Sequence, residues 1–109
     1  MWKRSLKARV KAIERDMETR ARAVADEELW ITHYGAFDIH PKHLVFWLCV
    51  KTDEQKGRLA ADRALMGELR DVLARRDYPE GARDLVHIGF ESQETVDREA
   101  DGHWWHHWK

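Results

Sequence analysis

The chain has 109 residues, enough for one domain around a single core and too few for two independent cores. With 43% apolar and 36% charged residues it lies far from the low-hydrophobicity composition of disorder, and its longest apolar run, the seven residues 44–50, falls well short of the ~20 needed to span a bilayer. The net charge of −1 conceals a split, because residues 1–25 carry eight basic side chains against three acidic ones and leave −6 on the remainder.

In chain order, the basic segment comes first. Leu6, Val10, Ile13, Met17 and Val24 recur at spacings of four, three, four and seven, a narrow apolar stripe that predicts an amphipathic helix over residues 5–28. Arg20 interrupts the heptad, so a coiled coil is not indicated. The charge of this helix can steer an acidic partner, or can be satisfied by docking onto the acidic body. Its start is basic but leads into no hydrophobic segment, so it does not read as a secretory signal.

Residues 29–37 and 43–51, rich in Trp, Ile, Thr, Tyr, Val and Phe, predict two strands, and Asp38-Ile39-His40-Pro41-Lys42 predicts the hairpin loop that makes them antiparallel. The only cysteine, Cys49, lies within the second strand. It cannot form an internal disulfide, and a reduced, cytoplasmic setting is the expectation.

Thr52-Asp53-Glu54-Gln55 fits a capping box, in which Thr52 accepts from the third helical amide and Gln55 reaches back. One long helix is expected to follow, with Leu59, Leu65, Met66, Leu69, Val72 and Leu73 buried and Tyr78-Pro79-Glu80-Gly81 as its stop. Residues 85–90 predict a third strand, with Val86, Ile88 and Phe90 on one side and Leu85, His87 and Gly89 on the other. A strand, helix and strand in succession imply a right-handed crossover and parallel pairing. Residues 91–102 read as an acidic loop before an aromatic tail. The expected fold is a single α+β domain over residues 1–109 in αββαβ order, a three-stranded mixed sheet with its helices on one face.

That architecture leaves the other sheet face bare, although the strands carry large apolar residues at both alternations, Phe46 and Leu48 against Val45 and Trp47. The tail, His103-Trp104-Trp105-His106-His107-Trp108-Lys109, holds half of the six tryptophans, and such aromatic surface is expected to dock on its own domain or on a second chain. Trp104, Trp105, Trp108 and Trp47 are therefore the candidate interaction residues, and self-association as a homodimer is expected.

His103, His106 and His107 have the spacing of imidazoles on one helical turn and are the candidate zinc ligands, with no cysteine framework to support them; His40 and His43 form a second His-x-x-His. Catalysis has weaker support. Cys49 in an apolar strand reads as an inert core thiol, His87 could face a pocket with His33 but reads first as a surface or hydrogen-bonded core histidine, and Ser92, Thr95 and Asp97 match no nucleophile pattern and read as turn stabilisers. No Gly-rich phosphate loop is present. No catalytic residue is assigned.

The αββαβ order resembles RNA-binding domains of the type II KH kind. That resemblance implies phosphate contacts from the basic first helix, but the Gly-x-x-Gly turn such domains use to clamp the backbone is missing. Phe90-Glu91-Ser92-Gln93-Glu94-Thr95-Val96-Asp97-Arg98, with the pair Trp104-Trp105, resembles the C-terminal part of small uncharacterised bacterial proteins, which implies a bacterial origin and carries no activity. The expectation is a non-catalytic protein-interaction module; an acidic body of this size also suits an immunity-type inhibitor of a basic partner, with nucleic acid and membrane as the less favoured surfaces.

Overall fold

The computed structural model describes residues 2–104, with side chains from Leu6 onward. Helix α1 (Trp2–Val24) buries Leu6, Val10, Ile13 and Met17 as their spacing requires. Ala21, not Val24, completes the stripe, and Val24 is 41% exposed. Val24 is the last residue of the helix, and its side chain lies at the exposed end of the stripe. The helix also ends at Val24, four residues short of the expected Glu28, where Arg58 captures the Val24 carbonyl and Gln55 Oε1 accepts the Asp26 amide.

Strands β1 (Trp30–Tyr34) and β2 (Val45–Val50) pair antiparallel, with Thr32 opposite Trp47. The first strand is shorter than expected because the chain turns at Gly35, whose φ of 110° is open to glycine alone at this site: a Cβ there would lie 1.9 Å from the His43 carbonyl oxygen. A 3-10 turn, Pro41–His43, closes the connection, its first amides capped by His40 Nδ1 accepting from the Lys42 amide at 3.1 Å.

The crossover holds two helices where one was expected, α2 (Asp53–Ala60) and α3 (Arg63–Arg75). The break is made by Asp62, whose carboxylate accepts from the Leu65 amide at 3.0 Å and starts a new helix. It allows α2 to lie on β2 and β3 while α3 packs against α1. A second 3-10 segment (Glu80–Leu85) leads into β3 (His87–Ser92), which pairs parallel with β2 and places Gly89 opposite Trp47. The sheet order is β1-β2-β3, a mixed three-stranded sheet. Residues 93–100, expected as part of a loop, form α4 (Gln93–Ala100), which ends at Asp101 and Gly102 in left-handed conformations.

Phe46, Leu48, Ile88 and Phe90 on the helix-facing side of the sheet meet the α1 stripe and Leu59, Leu65, Leu69, Val72 and Leu73 of the crossover in one core. Several charges of α1 dock onto the body: Arg76 forks onto Asp16 at 2.6 and 3.0 Å, Arg20 approaches Glu68 at 3.6 Å, and Arg9 donates to the Asp77 carbonyl. The basic character of the first helix is thus partly consumed within the chain. Lys7, Lys11 and Arg15 have no such partner among the described residues.

Candidate functional site

Alternation along the strands assigns the face turned away from the core to Trp30, Thr32 and Tyr34 of β1, Val45, Trp47 and Cys49 of β2, and His87, Gly89 and Glu91 of β3. Two aromatic groups occupy it. In one, the Trp47 indole N–H donates to Tyr34 Oη at 3.0 Å and the ring lies 5.0 Å from that of His87. Gly89 provides the space: a Cβ there would come within 2.5 Å of Trp47 Cζ3 and 2.8 Å of His87 Nε2. Trp47 is half-buried, and Tyr34 keeps 41% of its surface in solvent.

In the other group, α4 and the turn after it return the chain to the face, so that Trp104 meets Trp30 edge-on, with ring centres 5.5 Å apart and planes at 77°. Its indole N–H donates to Gln93 Oε1 at 2.7 Å. An open groove of about 450 Å³, lined by Glu28, Trp30, Lys51 and Gln93, runs beside this pair. Of the candidate interaction residues, Trp47 and Trp104 therefore lie on one face, at different ends. Trp105 and Trp108 lie outside the described residues, as do His106 and His107.

Cys49 is completely buried between these groups in register with Trp30 and Glu91. Burial, assisted by the Glu91 charge, pushes its thiol up to about 12, so it is not a nucleophile near neutral pH. His33 and His87 do not share a pocket. His33 faces the helices, where Nδ1 hydrogen-bonds the Glu14 carboxylate and the ring sits 6.0 Å from Phe46, whereas His87 lies on the opposite face. His40 and His43 have ring centres 6.0 Å apart, and His103 is exposed. Among the described residues, no group of three or more histidines, cysteines or carboxylates is placed to hold a metal.

A polar cluster that the sequence did not single out lies where β2 and β3 end. Both strands run directly into helices, and the two helix starts cap one another. Thr52 Oγ1 accepts from the Gln55 amide and Ser92 Oγ from the Thr95 amide, each within its own helix. Across the pair, Asp53 receives hydrogen bonds from Ser92, Thr95 and Arg98, and Glu94 Oε1 accepts the Asp53 amide at 2.7 Å. The Ser92 hydrogen bond first, then those of Thr95 and Arg98, hold the Asp53 carboxyl below the usual carboxylate range. Gln55 does not reach back to Thr52 as a capping box would; the Thr52 amide goes to Glu27 Oε1 at 2.8 Å. Buried Glu91 is matched by Lys56 at 2.7 Å and by the Ser92 amide. Ser92 and Thr95 thus serve as caps, while Asp97 accepts from Gln93. The signal was present in the paired strings Thr-Asp-Glu-Gln and Ser-Gln-Glu-Thr, but their meeting depends on the parallel register.

Among the described residues no helix is long and apolar enough to cross a membrane. Comparison with known proteins returns no match: no family model fits the chain, and neither a curated protein nor a solved structure is similar to it.

Proposed function

We propose that this protein is a non-catalytic interaction module that works as a homodimer and engages a protein partner through the outer face of its sheet, extended by the tryptophan tail. One observation carries the reading. Helices α1, α2 and α3 pack into the core on one side of the sheet, and the other presents Trp30, Tyr34, Trp47 and Trp104 at its surface, with the one acidic side chain that the strands place there, Glu91, buried and paired. Aromatic side chains bury large areas at small rotamer cost and dominate contact energies in interfaces. Trp105 is the next residue after Trp104 and Trp108 stands four positions on, and both are proposed to enlarge the same surface.

Two further observations favour a protein partner over nucleic acid. Arg9, Arg20 and Arg22 of the basic helix are held by carbonyls and carboxylates of the same chain, and the strand residues of the aromatic face include no arginine or lysine. The test is capture on immobilised protein, comparing the wild type with Trp47→Ser at matched folding, with and without nuclease. A stoichiometric protein retained by the wild type and lost by the variant is expected. Retention that disappears with nuclease would overturn the reading in favour of nucleic acid.

A further inference from the structure

Strand β1 is an edge of the sheet, paired on one side only among the described residues. Its sequence, Trp-Ile-Thr-His-Tyr, holds none of the devices that normally blunt an open edge: it has no proline, lysine or carboxylate, and it pairs residue by residue with β2 without a bulge. Its side chains are half-buried except Tyr34. An edge of this kind is a template for another strand, and the strand must come from a chain that fits it.

We propose that the strand is β1 of a second copy, added antiparallel about a two-fold axis at Thr32. The proposal rests on the homodimeric part of the function given above and assigns its interface. Centred on Thr32, the five residues are complementary to themselves. Trp30 of one copy lies opposite Tyr34 of the other on the outer face, Ile31 opposite His33 on the helix side, and Thr32 opposite Thr32. Aromatic pairs and Thr–Thr pairs are among the favourable cross-strand combinations. The two aromatic faces then join into one six-stranded surface, which is how the dimer would serve the partner-binding face.

The helix above the edge supplies the charge match. Lys7, Lys11, Glu14, Glu18 and Arg22 recur at spacings of four, three, four and four and form one stripe of α1. That stripe runs along β1, since Glu14 bonds His33 and Arg22 donates to the Leu29 carbonyl just before the strand. The Glu14 contact beside Thr32 sets the helix level with the axis, so the two-fold brings Lys11, unpaired among the described residues, towards Glu18 of the other copy, which also pairs with Arg22 of its own helix.

The experiment measures molar mass by light scattering on the full chain, with Thr32→Cys, Thr32→Lys, Lys11→Glu, the double variant Lys11→Glu/Glu18→Lys and Trp47→Ser. The wild type is expected at twice 13.0 kDa. Thr32→Cys should form a reducible intermolecular disulfide on mild oxidation, because directly opposed residues of an antiparallel pair have Cα separations a disulfide can bridge. Thr32→Lys places like charges face to face and should raise the dimer dissociation constant by about tenfold or more, with the far-ultraviolet spectrum unchanged. Lys11→Glu should weaken the dimer and the double variant restore it. A monomeric wild type would overturn both this interface and the homodimer. A dimer that is indifferent to Thr32→Lys, does not cross-link through Thr32→Cys and dissociates with Trp47→Ser would overturn the edge interface alone and transfer self-association to the aromatic face. Should Thr32→Lys fail to fold, the cross-link and the charge exchange still decide.

Discussion

Ser92, the last residue of β3, donates through Oγ to Asp53, the first residue of α2, across 39 positions of sequence. Through that bond the starts of α2 and α4 become one polar unit at the end of the parallel strand pair. Each helix has its own cap, so the cross bonds add rigidity between elements that local capping alone would leave independent. This unit anchors α4, and α4 in turn brings Trp104 to Trp30.

The same unit predicts an acid-sensitive fold. Asp53 is held below its ordinary range by Ser92, Thr95 and Arg98, and Asp16 by the hydrogen bond and charge of Arg76. Burial opposes the charge of Glu27, but hydrogen bonds from Thr52 and Lys51 outweigh it and lower it as well. A carboxylate with a folded value below its unfolded one contributes fully above about pH 4 and loses that contribution as the pH falls, since the unfolded chain takes up protons first. Urea midpoints should therefore decline on going from about pH 5 to pH 3, and Asp53→Asn should lower the neutral midpoint while flattening that decline. An equally steep acid decline in the variant would remove Asp53 from the account.

Gly35 should be the least tolerant glycine. At its φ of 110° a side chain is strained, and alanine would drive a methyl group into the His43 carbonyl. Gly35→Ala is expected to cost at least about 3 kcal/mol in chemical denaturation, whereas Gly67→Ala, with open space around it in α3, should be neutral or slightly stabilising.

Cys49 should resist thiol reagents in the folded protein. Its thiol is buried and raised to about 12, so a disulfide-exchange reagent at about pH 8 should modify it only at the rate of unfolding and quickly in denaturant. Fast stoichiometric labelling under native conditions would show that the outer face opens around it.

Gly89→Ala should act on the aromatic face more than on the fold. The added methyl group meets the flexible ends of Trp47 and His87, not backbone, so the rings must move. The expected cost is about 1 kcal/mol, with a changed near-ultraviolet spectrum as Trp47 leaves Tyr34. Combining it with Trp47→Leu should give less than the sum of the two effects, and strict additivity would mean that the rings do not fill that space.

Much of the fold was legible because it follows from period and punctuation. The four-three-four spacing from Leu6 to Met17, the apolar run of β2, and the alternation of Ile88 and Phe90 against His87 and Gly89 each appear in the structure, although the third strand runs from His87 to Ser92, two residues later than its expected span of 85–90. The break between α2 and α3 was missed because Ala60 and Ala61 before it and Ala64 after it all favour helix, and Asp62 is a cap only when the chain leaves helical geometry there. α4 was missed because its acidic composition resembles a loop, although Ser92 and Thr95 stand at cap and third position.

What the sequence determined by itself is the first helix, the three strands, the helical crossover and their buried sides, since periodicity and capping act between residues a few positions apart. It also placed Trp47 and Trp104 among the residues of interest. Only the tertiary structure decided that His33 and His87 stand on opposite faces, that Gly89 makes room for Trp47, and that Asp53 joins Ser92. These are relations between distant segments set by strand register, where a shift of one residue would exchange the two faces of a strand, and no local pattern records that choice.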